Sequence, residues 1–146
     1  MESLQNSLVE NMQEVGSQEE QEQVVILVVD DEDEIRTVLR LMLTSAGYEV
    51  REAEDGESAL ESVHKDPPDL ILLDVLMPRM DGFEVCRRVR ADSETAHIPI
   101  LILSAKTDSR SRQEGMLAGA TEYLTKPQSA VQLIRHVADA IQGSGE

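Results

Sequence analysis

Cysteine, aromatic side chains and long apolar runs are scarce in this chain. Its single Cys86 excludes an internal disulfide and fits a reducing compartment. One phenylalanine, two tyrosines and no tryptophan leave the core to Val, Ile, Leu, Met and Ala. No apolar stretch approaches the roughly 20 residues that span a bilayer. No basic segment followed by an apolar one marks a secretion leader, so a cytoplasmic location without membrane contact is expected. Positive charge is also short, with 13 Lys and Arg against 29 Asp and Glu, a net charge of −16. Such a surface is repelled by nucleic-acid phosphates and anionic lipid. No direct nucleic-acid binding is expected, and metal ions and basic protein surfaces are the more natural partners.

What is present suits one domain: 146 residues, 40% of them hydrophobic. Residues 1–23 stand apart, with six glutamates, five glutamines and no lysine or arginine. That composition reads as a solvated, disordered extension. Leu4, Leu8, Met12 and Val15 recur at helical spacing, and a helix there would offer one apolar face to the domain or to a second chain. A domain over 24–142 and a short tail over 143–146 complete the division.

From residue 24 the pattern alternates. Val24–Val29 is an apolar, β-branched strand closed by Asp30 and Asp31. A helix follows with Ile35, Val38, Leu39, Met42 and Ala46 on one face, and Gly47 stops it. Tyr48–Ala53 is a more polar strand suited to a sheet edge, and 56–65 is a short helix with Ala59, Leu60 and Val63 inward. Leu70–Leu73 is a strand ending at Asp74. Past Pro78 and Gly82, a helix turns Phe83, Cys86 and Val89 inward. Ile98–Leu103 is a strand ending at Ser104, and a weaker helix covers about 107–117. Thr121–Leu124 leads to Lys126 and Pro127. The last helix aligns Ala130, Leu133, Ile134, Val137 and Ile141. Five apolar strands alternating with amphipathic helices predict an α/β fold, a parallel sheet covered on both faces. In such sheets ligands bind at the carboxyl ends of the strands.

Those ends hold Asp30, Asp31, Asp74, Ser104 and Lys126. Three carboxylates in one crevice repel one another, and a divalent cation resolves the conflict. Oxygen-only ligands suit Mg2+, Mn2+ or Ca2+ rather than zinc. A lysine and a hydroxyl can hold phosphoryl oxygens, and a carboxylate can attack phosphorus. Taken singly, each aspartate reads as a turn former or helix cap, Lys126 as a surface residue and Ser104 as a cap. Their coincidence at matching strand ends favours a site.

Residues 24–141 resemble the receiver domain of two-component response regulators. The resemblance rests on Asp30-Asp31, Leu70-Ile-Leu-Leu-Asp74-Val-Leu-Met-Pro78, Met80-Asp81-Gly82-Phe83, Ser104-Ala105 and Lys126-Pro127. It implies a doubly wound, flavodoxin-like three-layer sandwich with strand order 2-1-3-4-5. It implies that Asp74 takes a phosphoryl group from a phosphohistidine on a sensor histidine kinase or histidine phosphotransfer protein. Asp31, Asp74 and the Leu76 backbone carbonyl would hold Mg2+ (Mn2+ as the substitute), with Asp30 reaching it through water. Lys126 would pair with the phosphoryl oxygens, and the peptide before Pro127 would be cis. Ser104 and Tyr123 would act as the switch, Tyr123 turning inward as Ser104 moves. The altered face of the fourth helix, fifth strand and fifth helix would meet a downstream protein or a second copy of the chain. Gln128 departs from the family pattern, where an apolar or aromatic residue is common. Leu76 and Lys106 flank the acceptor, and a bulky Leu76 implies slow self-dephosphorylation.

His64, His97 and His136 form no metal or triad spacing, and Cys86 reads as apolar filler. The competing functions are a Mg2+-dependent aspartyl-phosphate phosphatase and a scaffold that never takes phosphate. Leu76, where such a phosphatase carries a second acid, argues against the first, and the intact polar set argues against the second. A signalling module rather than an enzyme is expected, stand-alone or cut from a longer chain.

Overall fold

A computed structural model describes residues 23–144. Residues 1–22, with Leu4, Leu8, Met12 and Val15, lie outside the described residues. In chain order the elements are β1 Val25–Val29, α1 Asp33–Ser45, β2 Glu49–Ala53, α2 Gly56–Lys65, β3 Leu70–Leu73, α3 Gly82–Ala91, β4 Ile100–Ser104, α4 Ser109–Ala118, β5 Glu122–Thr125 and α5 Ala130–Ser144. The last helix thus continues past the domain end expected at 142. The strands form one parallel sheet in the order β2-β1-β3-β4-β5, the order the resemblance implies, with the polar β2 at an edge.

Alternate strand residues feed two cores. Leu27, Val29, Ile71, Leu73, Ile100 and Ile102 pack with Ala59, Val63, Phe83, Cys86, Val89 and Ala118 from α2, α3 and α4. Ile26, Val28, Leu70, Leu72, Leu101 and Leu103 pack with Leu39, Leu43, Leu133 and Val137 from α1 and α5. Each aliphatic side chain buried in this way contributes about 1.5–3 kcal/mol relative to exposure. No helix among the described residues is long and apolar enough to cross a membrane.

Local chemistry sets the starts of three helices. Asp55, Asp81 and Asp108 accept from the backbone amides of Ser58, Glu84 and Ser111 at 2.8, 3.0 and 3.0 Å, each such cap being worth about 1 kcal/mol. Helix α1 has no side-chain cap at Glu32. Two departures from the sequence expectation have a clear physical cause. Pairing in β4 begins at Ile100 because Pro99 has no amide to give, although its carbonyl accepts from Ile71. The buried face of α1 consists of Arg36, Leu39 and Leu43. Val38 is half exposed at 49%, and Ala46 is exposed beyond the helix. The face turns because the charged Arg36 finds acceptors beneath the helix.

Candidate functional site

The parallel register brings the polar strand ends together. Val29 lies opposite Leu73, and the Asp74 amide donates to the Val29 carbonyl at 2.9 Å, so Asp30 and Asp74 emerge side by side. Ser104 lies opposite Thr125, and the Lys126 amide donates to the Ser104 carbonyl at 2.9 Å. Lys126 crosses from β5 over the middle of the sheet. Its Nζ donates to Asp30 Oδ2 at 2.7 Å and stands 3.4 Å from Asp74 Oδ2. Asp30, Asp74 and Ser104 are buried, while Asp31 is exposed.

Burial raises the Asp74 pKa above the ordinary carboxylate range; Lys126 opposes the rise and the Asp30 charge adds to it. Burial works against the Lys126 ammonium, but its bond to Asp30 and the charges of Asp74 and Asp30 outweigh it, so its pKa also rises. One ammonium therefore serves two buried carboxylates, and negative charge is left over.

The aspartates at the strand ends do not serve as caps here. Asp30 Oδ1 accepts from the Glu32 amide at 2.9 Å in a local turn. Asp74 Oδ1 accepts from the Val75 amide at 2.8 Å. Among the described residues the carboxylates that converge within 4.8 Å of one another are those of Asp30, Asp31 and Glu32. The grouping adds Glu32, which the sequence did not single out, and leaves Asp74 turned toward Lys126 and the Val75 amide. All donors are hard oxygens, the chemistry a Mg2+-type ion takes, and the excess buried negative charge is what such an ion would offset. Beside them a cleft of about 470 Å3 is walled by Asp31, Leu76, Met77, Phe83, Lys106 and Glu114, among others.

Ser104 and Tyr123, expected to act as a switch, occupy defined positions. Ser104 Oγ accepts from the Lys106 amide at 3.1 Å. The Tyr123 hydroxyl donates to the Lys106 carbonyl at 2.8 Å, and its buried ring lies against Ile102 and Gly115. Arg112 of α4 sits 5.4 Å from the ring centre. Tyr123 is thus turned inward and buried. Lys106 links the two residues through opposite ends of its backbone. The Lys126–Pro127 peptide is cis, and Gln128 Nε2 donates to the Thr125 carbonyl at 2.8 Å. Away from the site, His64 pairs with Asp92 and His136 with Glu122, and His97 is exposed. Burial raises the Cys86 thiol pKa, consistent with filler.

One buried residue escaped the sequence reading. Arg36, 9% exposed, donates to the Asp30 carbonyl at 2.6 Å and to Glu52 at 3.2 Å, and it also pairs with Asp33. Nothing in the helical pattern distinguishes it from a surface arginine.

Residues 26–138 match the family model described as the response regulator receiver domain. The chain is 46% identical over 108 residues to the response regulator PleD of Caulobacter vibrioides, covering 72% of this chain and 24% of that protein. It is 45% identical over 107 residues to the response regulator MprA of Mycobacterium leprae, covering 73% of this chain and 46% of that protein. It therefore spans less than half the length of these curated relatives. A crystal structure of a putative response regulator from Chloroflexus aurantiacus superposes with a TM-score of 0.80 at 40% identity, covering 83% of this chain and 99% of the other. Chemotaxis protein CheY4 of Vibrio cholerae superposes with a TM-score of 0.77 at 39% identity, covering 81% and 98%.

Proposed function

The chain belongs to the response regulator receiver family, and from that premise we propose that Asp74 accepts a phosphoryl group from a phosphohistidine and passes the signal to a protein partner. The carrying observation is the Lys126 ammonium set between buried Asp30 and Asp74 at the carboxyl edge of the sheet.

In the transfer, the P–N bond of the donor breaks and a P–O bond to the Asp74 carboxylate forms, the imidazole leaving with the electron pair. Asp31, Asp74 and the Leu76 carbonyl would hold Mg2+, with Asp30 reaching it through water, and the ion would neutralise the carboxylates and draw charge off the phosphoryl oxygens. Lys126, its ammonium 3.4 Å from Asp74 Oδ2, would pair with the same oxygens while keeping its bond to Asp30. Ser104, fully buried next to the acceptor strand, supplies a hydroxyl donor.

A phosphoryl group adds about −1.5 to −2 charges and strong acceptor oxygens. Drawing Ser104 toward them takes its Oγ from the Lys106 amide and so disturbs the segment whose carbonyl holds Tyr123. The signal then reaches α4, β5 and α5. That side exposes Met116 at 49%, Leu117 at 81% and Val131 at 69%, apolar surface suited to a protein partner.

The test uses Mg2+ with acetyl phosphate, comparing the wild type with Asp74→Ala by intact mass and amide NMR. A phosphoryl mass increment and shifts at Ser104, Lys106 and Tyr123 are expected only with Asp74 present. Labelling that persists in Asp74→Ala, or none in the wild type, would overturn the assignment.

A further inference from the structure

We propose that Arg36 is a positioning residue for the acidic pair: by holding the Asp30 carbonyl, its guanidinium fixes the peptide joining Asp30 to Asp31 and so sets both carboxylates for a divalent cation. The inference rests on the reading of the pocket given above and assigns it a further residue.

Arginine is seldom buried without partners. Arg36 has three kinds: the carbonyl oxygen of Asp30, and the carboxylates of Asp33 on α1 and Glu52 on β2. Glu52 is held in turn by Arg40 at 3.3 Å. The guanidinium is therefore anchored from two elements and directed at the backbone of a site residue.

Asp30 is held at four points. Its amide donates to the Ala53 carbonyl at 3.2 Å, its Oδ1 accepts from Glu32 and its Oδ2 from Lys126. The fourth bond, from Arg36 to the carbonyl, acts directly on the peptide plane between the two aspartates. That plane decides where Asp31 points. Asp31 is exposed, and among the described residues no side chain bonds its carboxylate. With no such bond, the backbone sets the range its rotamers can reach, and a turn of that one peptide would swing that range away from Asp30.

Arg90 shows what a purely structural, half-buried arginine looks like here. It donates to the carbonyls of Gly119, Ala96 and Ile98, tying loops at the opposite end of the sheet. Arg36 alone of the two touches the pocket.

The experiment is a Mg2+ titration followed by amide NMR, with thermal unfolding measured without the ion, on wild type, Arg36→Met, Arg36→Lys, Glu52→Gln and Arg90→Met. Removing an outer group that orients metal ligands costs about 10–100-fold in affinity, so the Arg36→Met dissociation constant should rise about tenfold. Arg36→Lys, a compact ammonium without the planar fork that spans acceptors on separate elements, should fall between, and Glu52→Gln should shift in the same direction by less. Arg90→Met should unfold earlier yet keep its Mg2+ affinity within about twofold, as distant sites act independently. Saturating Mg2+ should restore acetyl phosphate labelling in Arg36→Met, placing the defect in ion binding.

If Arg36→Met does not fold, Arg36→Lys and Glu52→Gln decide the matter. Unchanged Mg2+ affinity in the folded Arg36 variants would overturn the role of Arg36 while leaving the pocket intact. A wild-type chain that binds no Mg2+ would instead overturn the pocket reading, and this proposal with it.

Discussion

Replacing Gly82 with alanine should displace the Asp74 end of β3. Gly82 opens α3, and its amide donates to the Val75 carbonyl at 2.9 Å. A Cβ there would overlap the Asp74 carbonyl oxygen and stand 2.9 Å from Val75 Cα and 3.0 Å from the Asp74 carbonyl carbon. Carbon atoms in favourable contact lie about 3.5–4.0 Å apart, so the shortfall is roughly half an ångström to one ångström. Every neighbour involved is backbone, and no rotamer change relieves it. Either α3 or the Asp74–Val75 peptide must move. Overpacking of this kind costs about 1–3 kcal/mol, and for a domain of this size that lowers Tm by roughly 5–15 °C. The moving peptide carries Asp74, so acetyl phosphate labelling should slow even where the variant remains folded. Gly143→Ala is the matched control. A Cβ there meets nothing within 4 Å, and in α5 the change should stabilise by up to about 1 kcal/mol through helix propensity. Urea unfolding and labelling rates read both. Wild-type stability and labelling in Gly82→Ala would refute the close approach.

Two further outcomes are expected. Burial raises the Asp74 pKa, so the folded chain binds that proton more tightly than the unfolded chain does. Ionisation therefore withdraws stability as pH climbs from the ordinary aspartate range through the raised one. Asp74→Asn should be the more stable protein at pH 7 without divalent ions, by about 1–2 kcal/mol, with the advantage fading on acidification; an advantage that grew toward acid would contradict the burial argument. Leu76 is 51% exposed in the cleft wall, and under the proposed function its apolar side chain would stand where a hydrolytic water approaches Asp74. Phosphorylated wild-type chain should therefore outlast a timescale of seconds without a phosphatase, and Leu76→Asn should shorten its lifetime, followed by loss of the phosphoryl mass increment.

Much of the site was legible because parallel strands place consecutive strand ends on one edge. Once Val24–Val29, Leu70–Leu73 and Ile98–Leu103 were read as apolar strands, Asp30, Asp74 and Ser104 had to share a crevice. Lys126 followed from its place just past β5. The aspartate caps at 55, 81 and 108 show why the same residue type elsewhere carries no such meaning, since each is absorbed by a helix start. Tyr123 was less legible, because strand alternation says which face a ring takes and not whether a neighbouring backbone carbonyl holds it. Glu32 was missed since an exposed glutamate at a helix start has many ordinary uses.

Local pattern alone determined the α/β alternation, the apolar sheet and the identity of the strand-end side chains, because periodicity and turn chemistry are properties of short segments. Only the tertiary structure decided that Arg36 is buried rather than solvated, that its guanidinium rests on Asp30, and that Asp74 faces Lys126 instead of joining Asp31 and Glu32. Those outcomes depend on groups brought in by separate elements, Glu52 of β2 for Arg36 and Lys126 past β5 for Asp74, and their relative positions exist only after the sheet has formed.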